Sequence, residues 1–266
     1  MTARDLGDGR SRGLPLPRRS WNVLIAEWTK VRSVRSTLWT LVVAAVTAVG
    51  GSVIVAVSVL GGGRPPLDTL ASIYLAWAEY PVLAVGILGV LAFTSEFSSG
   101  QIRTTFTAVP HRRAVLAAKA AIIGVITLAV GEVLSFAAFL IAAAILSKDQ
   151  ADLSLARPGV LGAVASAGVA LCAITVLGVA LGAIIRHTAG AVAALPALLY
   201  LPLVVALLPA PWNTSIGRFT MLEAAYQTVA LHPQTNLLSP GLSMLVLLAW
   251  PALGLLVATA LIGRDT

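Results

Sequence analysis

Two places in this sequence hold side chains that could do chemistry against an otherwise apolar background. Only 11% of the residues are charged, against about 25% in a typical soluble domain. The segment EFSSGQIRTTFTAVPHRR, residues 96–113, contains one acid, three arginines and a histidine between two long apolar runs. A second acid, Glu132, lies alone inside an apolar run. These side chains suit ion pairing, partner binding or proton exchange.

The sequence patterns of common catalytic and nucleotide-binding sites are missing. There is no G-x-x-x-x-G-K-[ST] loop, no H-E-x-x-H and no G-x-S-x-G. The histidines are scattered, and the single cysteine, Cys172, lies in an apolar run. Neither a disulfide within the chain nor a Cys/His metal site is therefore expected. We expect no catalytic residue, no metal, no cofactor bound by this chain and no nucleic-acid partner.

The composition indicates an integral membrane protein. With 58% hydrophobic residues and a mean hydropathy of +0.92, the chain has too little polar surface to cover a globule in water. We predict an all-α fold in which each of six apolar runs is long enough to cross the hydrocarbon core. The predicted spans are residues 38–60, 73–93, 120–146, 159–185, 189–208 and 242–262. The fourth and fifth are separated only by Arg186-His187-Thr188.

Basic residues predict the orientation of the spans. Of the 18 lysines and arginines, 14 fall in one alternating set of connections and four in the other, and the richer side is normally cytoplasmic. The richer set is residues 1–37, 94–119, 186–188 and 263–266. Both termini, and the basic segment 94–119, are then predicted to be cytoplasmic in a multi-pass protein of the plasma membrane.

The N-terminal region divides into two parts. Residues 1–19 are rich in Gly, Arg and Pro, which predicts a disordered basic tail. Residues 20–37 place Trp21, Trp28 and other apolar side chains on one helical face and polar side chains on the other. This pattern favours an amphipathic helix in the inner headgroup layer, and the alternative is a simple basic anchor for the first span.

Several features of the later spans and of the outer loop 209–241 lead to further expectations. The outer loop contains MLEAAYQTVAL, which predicts a short helix packed on the outer mouth. Gly178-x-x-x-Gly182 favours close contact between helices. Pro196 and Pro202 are expected to kink the fifth span.

Glu132 is the outstanding polar residue within the predicted membrane region. A carboxyl at the centre of a span costs about 2.5–3.5 kcal/mol on insertion scales, so it should carry a proton or face protein or water. One interpretation is a contact with substrate or protons. The other is a hydrogen bond between helices, with Ser135 or a threonine as partner. Glu79, flanked by Trp77 and Tyr80, fits the outer interfacial belt or the outer vestibule.

Two stretches resemble the membrane subunit, or permease, of ABC-2 type ABC transporters. The first is AEWTKVRSVRSTLWTL, residues 26–41, which is similar to the E-[WF]-x-K-x-x-[ST]-x-[RK] run that leads into the first span of bacterial members. The second is SEFSSGQIRTTFTAVPHRRAVLAAK, residues 95–119. It is similar to the E-x-x-x-G-[TQ]-[IL]-[RK] pattern, the Pro-basic stretch and the lysine that precede the third span.

The resemblance implies a division of labour between chains. Two permease chains would pair as a homo- or heterodimer, and a separate ATPase subunit would bind ATP and Mg²⁺. The connection after the second span would form a coupling helix on that ATPase, and the N-terminal helix would lie at the same interface. The implied coupling residues are Glu96, Phe97, Gly100, Gln101, Arg103, Thr104, Arg112 and Arg113. The implied interface-helix residues are Trp21, Glu27, Trp28, Lys30, Arg32 and Arg35.

Residues 95–119 also suit the coupling role on physical grounds, and two alternative functions are kept beside it. Glu96 can pair with a cation at the end of the second span, and Gly100 permits a sharp reversal. The expected function is export of an amphipathic or hydrophobic cargo, such as a drug, a lipid-like metabolite or an antimicrobial peptide. The alternatives are an ion- or proton-coupled secondary carrier with Glu132 in the relay, and a non-transporting membrane scaffold or sensor.

Overall fold

A computed structural model of the chain describes residues 35–61, 68–98, 112–146, 155–156, 158–230 and 238–264. These residues form helices joined by short turns, and within the ranges just given there is no strand. The all-α prediction is therefore confirmed. The helices are α1 (Arg35–Gly61), α2 (Asp68–Ser98), α3 (Arg112–Leu146), α4 (Val160–Ile185), α5 (Thr188–Leu199), α6 (Leu201–Val205), α7 (Trp212–Gly217), α8 (Met221–Val229) and α9 (Pro240–Arg264).

Four of the helices are long and apolar enough to cross a membrane. They contain the stretches Leu38–Ser58, Arg113–Leu146, Val160–Ile185 and Pro240–Gly263. Two shorter apolar stretches, Pro81–Phe97 in α2 and Thr188–Leu199 in α5, overlap parts of the second and fifth predicted spans. The chain is thus a membrane protein whose helices follow the predicted apolar runs.

Helix α4 is the central helix of the bundle. In its most apolar stretch 67% of the residues are buried, compared with 28% for α1 and 22% for α9. The outer helices instead expose large apolar side chains, such as Trp39 on α1 and Leu256 on α9. An apolar surface of this kind is stable against lipid and unstable against water.

The basic connection is shorter than residues 94–119. Helix α2 continues to Ser98, and α3 begins at Arg112. Residues 94–98 and 112–119 contain no proline or glycine to stop a helix, and most of residues 112–119 are good helix formers. Lys119 therefore lies inside α3. The expected coupling helix between Gln101 and Val109 lies outside the described residues.

The fifth predicted span is broken into two helices. Helix α5 ends at Leu199, Tyr200 has φ −87° and ψ 14°, and the five-residue α6 follows. Pro202 lacks an N–H and cannot donate to the preceding turn, so the ladder of hydrogen bonds stops there. The kink predicted from the two prolines is a full break at Tyr200.

The connection between α4 and α5 has only two residues, as the short polar stretch predicts. Arg186 adopts the left-handed region with φ 56°, and its N–H donates to the carbonyl of Gly182. His187 then caps α5, since its Nδ1 accepts a hydrogen bond from the N–H of Gly190 at 3.3 Å.

Glycines let α2 and α4 approach backbone to backbone. A Cβ on Gly178 would overlap the carbonyl oxygen of Gly86, and one on Gly89 would overlap that of Thr175. A Cβ on Gly182 would be 3.0 Å from the carbonyl oxygen of Val90. The close contact predicted for Gly178-x-x-x-Gly182 is confirmed, and its partner is α2. We call this contact the glycine seam.

The predicted helix in the outer loop is α8. Most of its side chains are buried, including Met221, Leu222 and Val229, and it packs on α9 and α4. A buried glutamine fixes it to the start of α9. The Oε1 of Gln227 accepts hydrogen bonds from the N–H of Leu238 at 3.0 Å and from the hydroxyl of Ser243 at 2.8 Å.

Replacing Gln227 by methionine should lower the free energy of unfolding by about 1–3 kcal/mol, because two buried donors would lose their acceptor. Thermal unfolding in detergent, followed by circular dichroism, measures the change. Thr228→Val is the matched control, since the Thr228 hydroxyl bonds only within its own helix, to the carbonyl of Ala225. Equal stabilities for the two variants would contradict the fixing role of Gln227.

Candidate functional site

An ion pair joins the end of α2 to the start of α3. The Nζ of Lys119 lies 2.9 Å from the Oε1 of Glu96, and the two side chains are only 5% and 6% exposed. The expectation that Glu96 pairs with a cation is confirmed. From the sequence, Lys119 is the lysine before the third predicted span, and its pairing with Glu96 is not predicted.

Apolar packing surrounds this pair. Phe93 and Phe97, one turn apart on α2, have ring centroids separated by 5.6 Å. Leu116 and Ala120 flank Lys119 on α3 and are buried in the same cluster as Phe93. Residues of α4 and α9 complete this cluster. The pair therefore lies where four long helices meet.

The ion pair fixes both ends of the basic segment. Residues 99–111 leave α2 directly after the turn that carries Glu96, and they return to α3 two turns before Lys119. A buried pair tolerates separation of its charges poorly, because each would be left in a medium of low dielectric. The pair therefore links α2 and α3 on the two sides of the segment.

Arg113 holds α3 to the end of α9. A Cβ on Gly263 would lie 3.1 Å from the guanidinium carbon of Arg113, so the arginine rests on the last turn of α9. A cation is favourable there because carbonyl dipoles accumulate at a helix C-terminus. Arg113 also remains exposed. Its positive charge therefore acts only in part on the end of α9.

The structure places only some of the residues singled out from the sequence. Glu96 and Phe97 lie near the end of α2, Arg113 lies near the start of α3, and Arg35 and Arg112 are the first residues of α1 and α3. The remaining implied coupling and interface residues lie outside the described ranges: Gly100, Gln101, Arg103, Thr104, Trp21, Glu27, Trp28, Lys30 and Arg32. The N-terminal tail and most of the amphipathic segment 20–37 are outside them as well.

Glu132 lies near the middle of α3, against α4. A Cβ on Gly168 would be 2.6 Å from both the carboxyl carbon and the Oε1 of Glu132. The carboxyl group therefore lies over a glycine of the central helix and remains partly exposed. Gly168 was not singled out from the sequence. The sequence feature that could have identified Gly168 is its position as a glycine inside a long apolar helix.

Ser135, one of the two kinds of partner considered for Glu132, does not form a hydrogen bond with it. The Ser135 hydroxyl donates to the carbonyl of Val164 at 2.6 Å, because Ser135 points to the interior between α3 and α4. Throughout the part of the chain that the structure describes, no hydrogen bond or ion pair involves the carboxylate of Glu132.

Partly exposed side chains lie near Glu132 and Gly168 along the two helices. On α3 Leu128 lies one turn from Glu132, and on α4 Cys172 lies one turn from Gly168 while Val169 is the residue directly after it. We call the surface formed by Leu128, Glu132, Gly168, Val169 and Cys172 the α3–α4 groove. It combines one carboxylate with an apolar lining.

No group of three or more His, Cys, Asp or Glu side chains suited to a metal ion occurs in the described ranges. No protein-family model matches the sequence. No curated protein matches it either.

Proposed function

We propose that this chain is the membrane-spanning permease subunit of an ATP-driven exporter of the ABC-2 type. It would have six spans and cytoplasmic termini, and it would work in the plasma membrane as a homo- or heterodimer. A separate ATPase chain would bind ATP and Mg²⁺. The cargo would be amphipathic or hydrophobic, because the spans offer few charges.

The buried Glu96–Lys119 pair carries this proposal. A coupling element must stay attached to the helices that it moves. The pair supports this requirement because it joins the helices on both sides of segment 99–111 at an N–O distance of 2.9 Å. The basic residues Arg103, Arg112 and Arg113 in and beside the segment suit an acidic partner surface or the anionic inner leaflet.

The six-span arrangement draws support from the apolar helices. Four meet the length and hydropathy needed for crossing, and α2 and α5–α6 coincide with the other two predicted spans. The strong asymmetry of basic residues supports cytoplasmic termini.

Labelling of single cysteines introduced at residues 4, 104, 150 and 234, in a Cys172→Ser background, tests the orientation in intact cells. Reagent that cannot cross the membrane should reach positions 150 and 234 only.

Co-purification tests the ATPase partner. The chain is tagged at its C-terminus, crosslinked in intact membranes and solubilised, and its companions are identified by mass spectrometry. We expect a P-loop ATPase with the natural sequence. The variant Gly100→Trp/Arg103→Glu should lose at least about 90% of it, because it alters the segment without touching the buried ion pair.

The matched control is Arg218→Glu, which makes the same charge change in the turn after α7, on the predicted outer side. It should retain the ATPase. Absence of any ATPase from well-folded natural protein after crosslinking would refute the permease function. Equal loss in both arginine variants would show that charge alone, and not the segment, governs the association.

A proton-coupled carrier is the second candidate, and the exposed carboxylate of Glu132 favours it. A titratable group within a membrane span is typical of proton relays. Transport in vesicles separates the two functions. Loss of transport on collapsing the proton gradient, with ATP constant, would favour the carrier, whereas loss on ATP depletion with the gradient intact favours the permease.

A further inference from the structure

We propose that the α3–α4 groove is a binding site for a hydrophobic organic cation. Such a ligand would place an ammonium or phosphonium charge against Glu132 and its apolar body along Leu128 and Val169. The claim that this cation is the transported cargo rests on the proposed function. The claim that the groove binds such a cation rests on the geometry alone.

Among the described residues of α3 and α4, every lysine and arginine lies far along the chain from Glu132 and Gly168. Helix α4 contains no lysine or arginine. The nearest one before Glu132 on α3 is Lys119, thirteen residues away, or about 20 Å along the axis, and it is paired with Glu96. Arg186 follows Gly168 by eighteen residues, or about 27 Å. Neither side chain can reach the carboxylate.

The depth of Glu132 makes its charge costly when nothing neutralises it. The apolar stretch Arg113–Leu146 places it about 28 Å from one end and about 21 Å from the other along the helix. A carboxylate at such depth requires a partner, a proton or water. A lipid-soluble cation supplies the opposite charge and needs no aqueous access.

The shape of the groove suits a ligand that is mostly apolar. Gly168 has no side chain, so the carboxyl group of Glu132 lies directly against the backbone of α4. The neighbouring Val133 is 68% exposed and Val125 is 66% exposed, which extends the apolar surface along α3. A cation with aromatic or alkyl groups can bury area on both sides of the charge.

Binding of radiolabelled tetraphenylphosphonium to the purified full-length chain in zwitterionic nanodiscs tests the site. We expect saturable binding that Glu132→Gln weakens by about tenfold or more, since the variant removes the charge and keeps the size. Glu132→Asp should recover most of the affinity. Glu223→Gln removes another acid, on α8, and should bind like the natural protein. Dodecyltrimethylammonium should compete, and dodecanol should not.

A second measurement uses the unmodified chain and does not depend on a variant folding. Cys172, the single cysteine of the sequence, lies one turn from Gly168 and is partly exposed. Tetraphenylphosphonium should slow its reaction with a membrane-permeant maleimide severalfold, and dodecanol should leave the rate unchanged.

Unchanged binding in Glu132→Gln, or equal competition by dodecanol, would overturn the site. A change of oligomeric state in Glu132→Gln without a change in binding would also overturn it, because a second chain would then cover the groove. These assays require no ATPase. If the cation binds and no ATPase partner is found, the binding site stands and the exporter function is refuted. If an ATPase partner is found and the cation does not bind, the exporter function stands and the binding site is refuted.

Discussion

Glu96→Ala should lower the free energy of unfolding by about 3–5 kcal/mol, the usual cost of leaving one member of a buried ion pair without its partner. In the natural protein the ammonium of Lys119 is 2.9 Å from the Glu96 carboxylate, and both are almost fully buried. Packing of Phe93, Leu116 and Ala120 nearby leaves the lysine few routes to water. Titration with SDS in mixed micelles, followed by circular dichroism, measures the loss.

Two controls separate charge from packing. In Glu96→Leu/Lys119→Met both charges are gone, so the loss should be much smaller and close to neutral. Glu223→Gln removes a partly exposed acid and should change stability by less than about 0.5 kcal/mol. A loss for Glu96→Ala no larger than that of Glu223→Gln would show that the pair is solvated and does not hold the ends of the basic segment.

Gly178→Ala is the second variant with a large expected effect, a loss of about 3 kcal/mol or failure to yield monodisperse protein. Overpacking of a core typically costs about 1–3 kcal/mol, but here the added Cβ meets the carbonyl oxygen of Gly86. Backbone cannot rotate away as a side chain can. Helices α2 and α4 would have to separate along the whole glycine seam.

Gly162→Ala is the matched control, because Gly162 lies on the same helix and a Cβ there would meet nothing within 4 Å. It should be neutral or stabilising by up to about 1 kcal/mol, the helix preference of alanine over glycine. Size-exclusion profiles and SDS titration compare the two variants. Equal behaviour would mean that α2 and α4 are not in backbone contact.

Sequence reasoning located the helices well because the length of a continuous apolar run suffices for that purpose in a membrane protein. It found α8 from helix-prone residues between prolines, and the turn at Arg186 from a polar interruption. It extended the basic loop too far on both sides, since polar residues such as Glu96 and Lys119 can remain helical when they satisfy one another.

The candidate site was predicted only in part. Glu96 and Glu132 stood out as acids, but their surroundings depend on how helices distant in sequence are packed. The choice of Lys119 for Glu96, and of Gly168 beneath Glu132, is decided by the contact of α3 with α2 and α4. Small residues allow that contact without specifying its register, so sequence alone did not identify these partners.

The two-residue connection at Arg186 and His187 also constrains biosynthesis. Helix α4 has 26 residues and contains a stretch with a mean hydropathy of 2.5, so we expect it to enter the bilayer from the translocon unaided. Helix α5 has 12 residues, about 18 Å, which is shorter than the hydrocarbon core of about 30 Å. Because so short a link ties α5 to α4, we expect the two helices to enter the bilayer together as one hairpin.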